Sequence, residues 1–133
     1  MKEHNMVKTL INWFEIPVAD LERAVRFYEA TFAVSLRREA MHGMQMAVFP
    51  YVEPATGGAL LAAPQARPGE QGILIYLDGG DDLAVPLARA VEAGGQVLLP
   101  KTEISPEIGY IAMFADSEGN RIGLHSPGAA IQG

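Results

Sequence analysis

Two stretches of this chain repeat each other at a separation of sixty-two residues, and a duplicated unit constrains a fold more tightly than any single motif. Asp20-Leu21 opens a helical run with apolar residues Leu21, Val25, Tyr28 and Phe32; Asp82-Leu83 opens a second, with Leu83, Leu87, Ala90 and Gly94 at the same spacing. The echo extends beyond the helices. Met46–Phe49 returns as Ile111–Phe114, and Gly57–Leu60 returns as Gly119–Ile122. Each half therefore reads as a strand, a helix and three strands, an α+β chain of two tandem βαβββ modules. A duplication of this kind arranges matching positions of its halves around one shared cavity, so it also says where to look for function.

Local patterning supplies the elements. Thr9–Ile16 alternates as a strand with bulky residues on both faces, and Pro17, which has no N–H to give a ladder, ends it. Asp20 suits a helix N-cap and Glu22 the first turn, which predicts a helix to Thr31 or Phe32. Strands are expected at Ser35–Ala40, Met44–Phe49 and Ala59–Ala63, followed by a linker at Pro64–Gly69. The second half predicts a strand at Ile73–Leu77, a helix from Asp82 to Ala93 stopped by Gly94-Gly95, and strands at Gln96–Ile104, Tyr110–Ala115 and Arg121–His125. Between the last two, Asp116–Asn120 reads as a tight turn: its aspartate accepts local backbone hydrogen bonds and Gly119 is free to take positive φ. The whole, 1–133, is expected to be one domain, with module one at about 9–63 and module two at about 71–126.

Composition closes several functional classes. Nearly half of the 133 residues are apolar, enough for a core without staples, and cysteine is absent. A disulfide framework, a thiolate nucleophile and a cysteine-ligated metal are therefore excluded. A formal charge of −6 repels phosphate backbones, so nucleic acid is not an expected partner. No apolar run reaches membrane-spanning length and Met1–Leu10 lacks an apolar signal core, which predicts a cytoplasmic protein with no membrane partner.

Two phrases together, Pro17-Val-Ala-Asp-Leu-Glu-Arg-Ala-Val-Arg-Phe-Tyr28 and Asp116-Ser-Glu-Gly-Asn-Arg-Ile-Gly-Leu124, resemble the vicinal oxygen chelate superfamily, which includes glyoxalase I, extradiol dioxygenases and bleomycin- and fosfomycin-resistance proteins. The resemblance spans roughly residues 9 to 126. It implies an incomplete eight-stranded barrel, commonly completed in a homodimer. It also implies a divalent metal held by four side chains, on the first and last strand of each module. Carried onto this chain, those positions are Trp13, Gly72 (or Leu74 with a one-pleat slip), Gly123 and its partner Leu61. None offers an imidazole or carboxylate. The expectation is a degenerate metal site with no metal cofactor.

The remaining residues support two readings. His125 lies two residues beyond Gly123 on the same strand face, where it reads either as a general base or as a barrel-mouth histidine satisfied by backbone groups or solvent. Trp13 reads as an aromatic platform or as core filling. Glu15, one pleat along, reads as an acceptor or base, or as a solvated strand-end carboxylate. Tyr76 adds a phenol to the same wall or packs as an ordinary strand residue. On the first reading the protein is a metal-independent binder of a small organic molecule, using Trp13, Tyr76 and His125. On the second it is a lyase, isomerase or dioxygenase relative that uses His125 or Glu15, or an atypical metal site.

Overall fold

The computed structural model describes residues 10–128. The expected polar lead-in, and the start of the first expected strand at Thr9, lie outside those residues. The first half comprises β1 (Trp13–Pro17), α1 (Leu21–Phe32), β2 (Arg37–Met41), β3 (Met44–Val48) and β4 (Gly57–Ala62). The second half comprises β5 (Tyr76–Asp78), α2 (Ala84–Glu92), β6 (Gln96–Ser105), β7 (Gly109–Ala115) and β8 (Arg121–Ser126). Each half builds its own four-stranded sheet, in the orders β1-β4-β3-β2 and β5-β8-β7-β6. In both, the first strand runs parallel to the last and the other neighbours are antiparallel. The two sheets share no strand pairing, so one chain does not close a barrel.

The helices contact each other and the sheet of their own half. Strand alternation sends Ile16, Leu60, Phe114, Ile122 and Leu124 inward, and they meet Val25, Phe27, Tyr28, Leu83, Leu87 and Ala90 in one buried cluster. Leu21 and Phe32, two of the four apolar residues that mark the first helical run, are only partly buried, and Ala24, Phe27 and Thr31 join Val25 and Tyr28 on α1's buried face. On the opposite face of the first sheet, Met46, Val48 and Ala59 form a smaller cluster with Leu61.

Most expected elements are present, with differences at their ends. Pro17 is the last residue of β1, where no ladder donor is required. The strand expected to begin at Ile73 begins at Tyr76; Ile73 is 93 % exposed and the chain before it turns through Gly72 at φ +104°. Helix α2 starts at Ala84 rather than Asp82, whose carboxylate instead accepts from the Ala84 N–H and pairs with Lys101.

The repeat is also not uniform at sixty-two residues. Val18 N–H donates to the Leu61 carbonyl, and its counterpart is Gly79 N–H donating to His125. Sixty-one residues thus separate the first strands and sixty-four the last. The second half takes up the difference in β6, ten residues long with three register shifts, where β2 has five. The counterpart of Trp13 is therefore Leu74, not Gly72, and the counterpart of Gly123 is Ala59, not Leu61.

One turn ties the halves together. Asp116–Asn120, between β7 and β8, reaches across to the N-terminus of α1. Asp20 caps α1 by accepting from Arg23 N–H, yet position 23 is an arginine where a capping box would place a glutamate. Glu118 of the other half fills that role: its carboxylate accepts from the N–H groups of Ala19 and Asp20 and from Arg23 Nε and Nη2 at 2.8–3.0 Å. Tyr28 Oη donates to Asp116 at 2.6 Å and Asn120 Nδ2 donates to the Pro17 carbonyl at 2.8 Å. Burial, with Asp116 as its acceptor, raises the Tyr28 hydroxyl pKa well above the usual phenol value. Burial alone would raise that of Glu118, but donation from Arg23, Asp20, Ser117 and Ala19 outweighs it and holds the carboxyl at about 2.

A carboxyl depressed from 4.5 to about 2 stabilises the fold in full above pH 4.5, and that contribution is lost as pH falls toward 2. Glu118→Gln is expected to cost about 1–3 kcal/mol at pH 7, because the Ala19 and Asp20 donors lose their charged acceptor. In urea titrations the gap between wild type and variant should be widest near neutrality and close between pH 4.5 and 2.

Candidate functional site

The candidate residues lie on the strand faces turned away from the helices. On β1, Phe14 and Ile16 turn inward, so Trp13 and Glu15 turn outward. Trp13 is 38 % exposed, donates from Nε1 to Glu15 Oε2 at 3.3 Å, and meets Tyr51 edge-on at 6.0 Å between ring centroids. On β8, Leu124 turns inward and His125 outward, where it stands beside Asp78 of the parallel neighbour β5. His125 Nε2 lies 2.7 Å from the Ile108 carbonyl. A carbonyl can only accept, so Nε2 carries a hydrogen and donates it.

These residues fall into two cavities. Trp13 and Glu15 line a groove of about 870 Å³ that passes from β1 over Phe14, Ile16, Ile75 and Ile122 to Arg121, with residues 67–73 as its far wall. Tyr76 and His125 line a second cavity of about 580 Å³ with Asp78, Ile111 and Pro127. Sequence reasoning joined Trp13, Tyr76 and His125 in one cavity; the structure divides them because the two sheets do not close on each other. The first volume falls within the range of roughly 300–1,000 Å³ usual for small-molecule sites, and its lining is apolar with a few polar groups.

Sequence reasoning missed several of the lining residues. Arg121 sits on the same face of β8 as His125, and this alternation was available as a signal. Asp78 is likewise one pleat from Tyr76. The linker, expected to be a spacer, forms a wall, and Gly69 N–H donates to Asn120 Oδ1 at 2.9 Å to hold it there. Tyr51 lies in a segment expected only to turn.

The positions that the resemblance implies for a metal, shifted to Trp13, Ala59, Leu74 and Gly123 by the observed register, carry no imidazole and no carboxylate. Space is also taken: a Cβ at Gly123 would stand 2.5 Å from the Tyr76 ring, which lies flat against the strand. Among the described residues, no group of three or more histidine, aspartate or glutamate side chains is placed to hold a metal. No helix among them is long and apolar enough to cross a membrane.

This architecture defines a protein of paired βαβββ modules with open cavities on its sheet faces. Residues 10–124 match the Glyoxalase/Bleomycin resistance protein/Dioxygenase superfamily, and the chain belongs to that superfamily. Its fold is similar to that of TnmS3, an antibiotic binding protein from Streptomyces sp. CB03234, at 30 % identity and a TM-score of 0.63, over 92 % of this chain and 98 % of that one. A glyoxalase/bleomycin resistance protein from the same Streptomyces is 32 % identical with a TM-score of 0.61, over 86 % and 97 % of the two chains. The fosfomycin resistance protein FosX from Mesorhizobium loti shares the fold at 18 % identity and a TM-score of 0.64, over 96 % and 98 %. Among curated proteins none shows a significant match.

If Gly123 is kept bare by the Tyr76 ring, Gly123→Ala should displace that ring and cost about 1–3 kcal/mol, the usual range for overpacking. Thermal unfolding of the variant, alongside a Gly123→Ala/Tyr76→Ala double variant that recovers part of the loss, checks this.

Proposed function

We propose that this protein binds a small, aromatic or amphipathic organic molecule in the groove beside Trp13, without a metal, and that a second copy completes the site. The observation that carries this reading is the groove itself: about 870 Å³, apolar across Phe14, Ile16, Ile75 and Ile122, with an accessible indole at its mouth. The antibiotic-binding relative at 30 % identity supports the same class of ligand. The absence of donor side chains at Trp13, Ala59, Leu74 and Gly123 supports metal independence. Edges of β1, β2, β5 and β6 that have no strand neighbour among the described residues support a symmetric homodimer, since an exposed edge is a liability that pairing removes. A core cluster drawn from both halves supports one glyoxalase-like domain, and a cytoplasmic location accords with the absence of cysteine.

Trp13 is the only tryptophan, so its emission reports the groove directly. Titration with naphthamide, a neutral planar probe, should shift that emission and raise the melting temperature. Contact with an aromatic face contributes about 0.5–1.5 kcal/mol beyond area burial, so Trp13→Ala should weaken the probe about tenfold by calorimetry. Dialysis against EDTA should leave the affinity unchanged; loss of binding that zinc, nickel or manganese restores would overturn metal independence. Sedimentation at micromolar concentration should give twice the chain mass of 14.3 kDa.

A second reading, a proton-transferring enzyme of this superfamily, is favoured by one observation. The Ile108 carbonyl orients the His125 ring through Nε2 in the smaller cavity, which Asp78 and Tyr76 also line. Should a turnover assay succeed, His125→Gln ought to abolish turnover and leave naphthamide binding intact.

A further inference from the structure

The large groove contains a positive charge that the chain itself does not neutralise. Arg121, the first residue of β8, lines it between Asn120 and Ile122. Its Nε is shut off from solvent and has no hydrogen-bond partner, and among the described residues no carboxylate forms an ion pair with its guanidinium. A guanidinium is charged at any physiological pH, and a buried donor left unpaired is costly. The nearby acids are otherwise engaged. Asp116 accepts from Tyr28, Glu118 and Asn120, while Glu118 accepts from Arg23, Ala19 and Asp20. Glu15 and Glu70 also line the groove but both are exposed, so water solvates them. Arg121 is half-buried here with its Nε unsatisfied while both acids of the groove are exposed, and an anion would complement it.

We propose that the ligand of this groove is a planar aromatic acid, with its ring system against Trp13 and the apolar lining and its carboxylate held by Arg121. The inference rests on the binding function proposed above and adds the sign and shape of the ligand. A guanidinium offers parallel N–H donors in a rigid fork that matches a carboxylate, which a lysine ammonium does not. Arg67, exposed in the linker wall of the same groove, adds a second positive charge near the mouth.

Naphthoate and naphthamide share one ring system and differ in charge, so together they separate the two claims. Wild-type protein is titrated with each, read by Trp13 emission and calorimetry, at low and high sodium chloride. The acid is expected to bind about tenfold more tightly than the amide, with a preference that shrinks as salt rises. Arg121→Met should erase the preference, bringing the acid's affinity down to about that of the amide. Arg121→Lys, which keeps the charge without the fork, should retain part of it, and serves as the comparison if the methionine variant does not fold. Equal binding of acid and amide by wild type, or a preference that survives in Arg121→Met, overturns the anionic ligand while the groove stands. Failure of both probes to bind overturns the groove reading, and this inference falls with it.

Discussion

The structure depends on the grip of one turn, Asp116–Asn120, on the N-terminus of α1. Asn120 alone joins three segments: its amide nitrogen donates to the Pro17 carbonyl at the end of β1, its side-chain oxygen accepts from Gly69 in the linker, and its backbone completes the turn on Asp116. Glu118 then seats α1, and Tyr28 inserts its hydroxyl beneath. The groove borders these contacts. Trp13 and Glu15 stand on the strand that Asn120 holds, residues 67–73 on the linker it holds, and Arg121 is the next residue along the chain. The two phrases that betray the family in the sequence are the two surfaces of this single junction.

The fold was readable because its information is repeated. Amphipathic spacing at Leu83, Leu87 and Ala90, an aspartate before each helix, and glycine-bearing turns all agree, and agreement across levels specifies a structure. The site was less readable for a definite reason. Alternation along a strand says which residues share a face, and it grouped Trp13 with Glu15 on β1 and Gly123 with His125 on β8. It cannot say whether two faces of different sheets meet, because that is decided by how α1 and α2 pack on each other. The exact repeat distance failed for a similar reason, since three extra residues in β6 are absorbed in bulges that leave no compositional mark. Long-range capping by Glu118 was hidden as well; only the arginine standing where a capping box wants a glutamate hinted that the acid would come from elsewhere.

The two halves have also drifted apart in what they present. The first offers an indole paired with a second aromatic ring, Tyr51, whose edge covers Gly57; the second offers a phenol over Gly123 and an imidazole with a fixed hydrogen. In each half a ring lies on a bare glycine of the last strand, where a Cβ would collide. The duplicated scaffold thus displays two chemically distinct surfaces.

The partner that completes the cap of the first helix lies 98 residues farther along the chain than the capped Asp20. During synthesis, which delivers the N-terminal half first, α1 emerges with Asp20 as its only cap and with Tyr28 lacking its acceptor. The first half can pair its strands early, yet its helix is seated only when residue 118 has been made. A ribosome stalled at the start of β7 would therefore hold a half-finished protein whose Phe27 and Phe32 still lack the Phe114 ring they meet in the second half, the kind of surface that recruits chaperones.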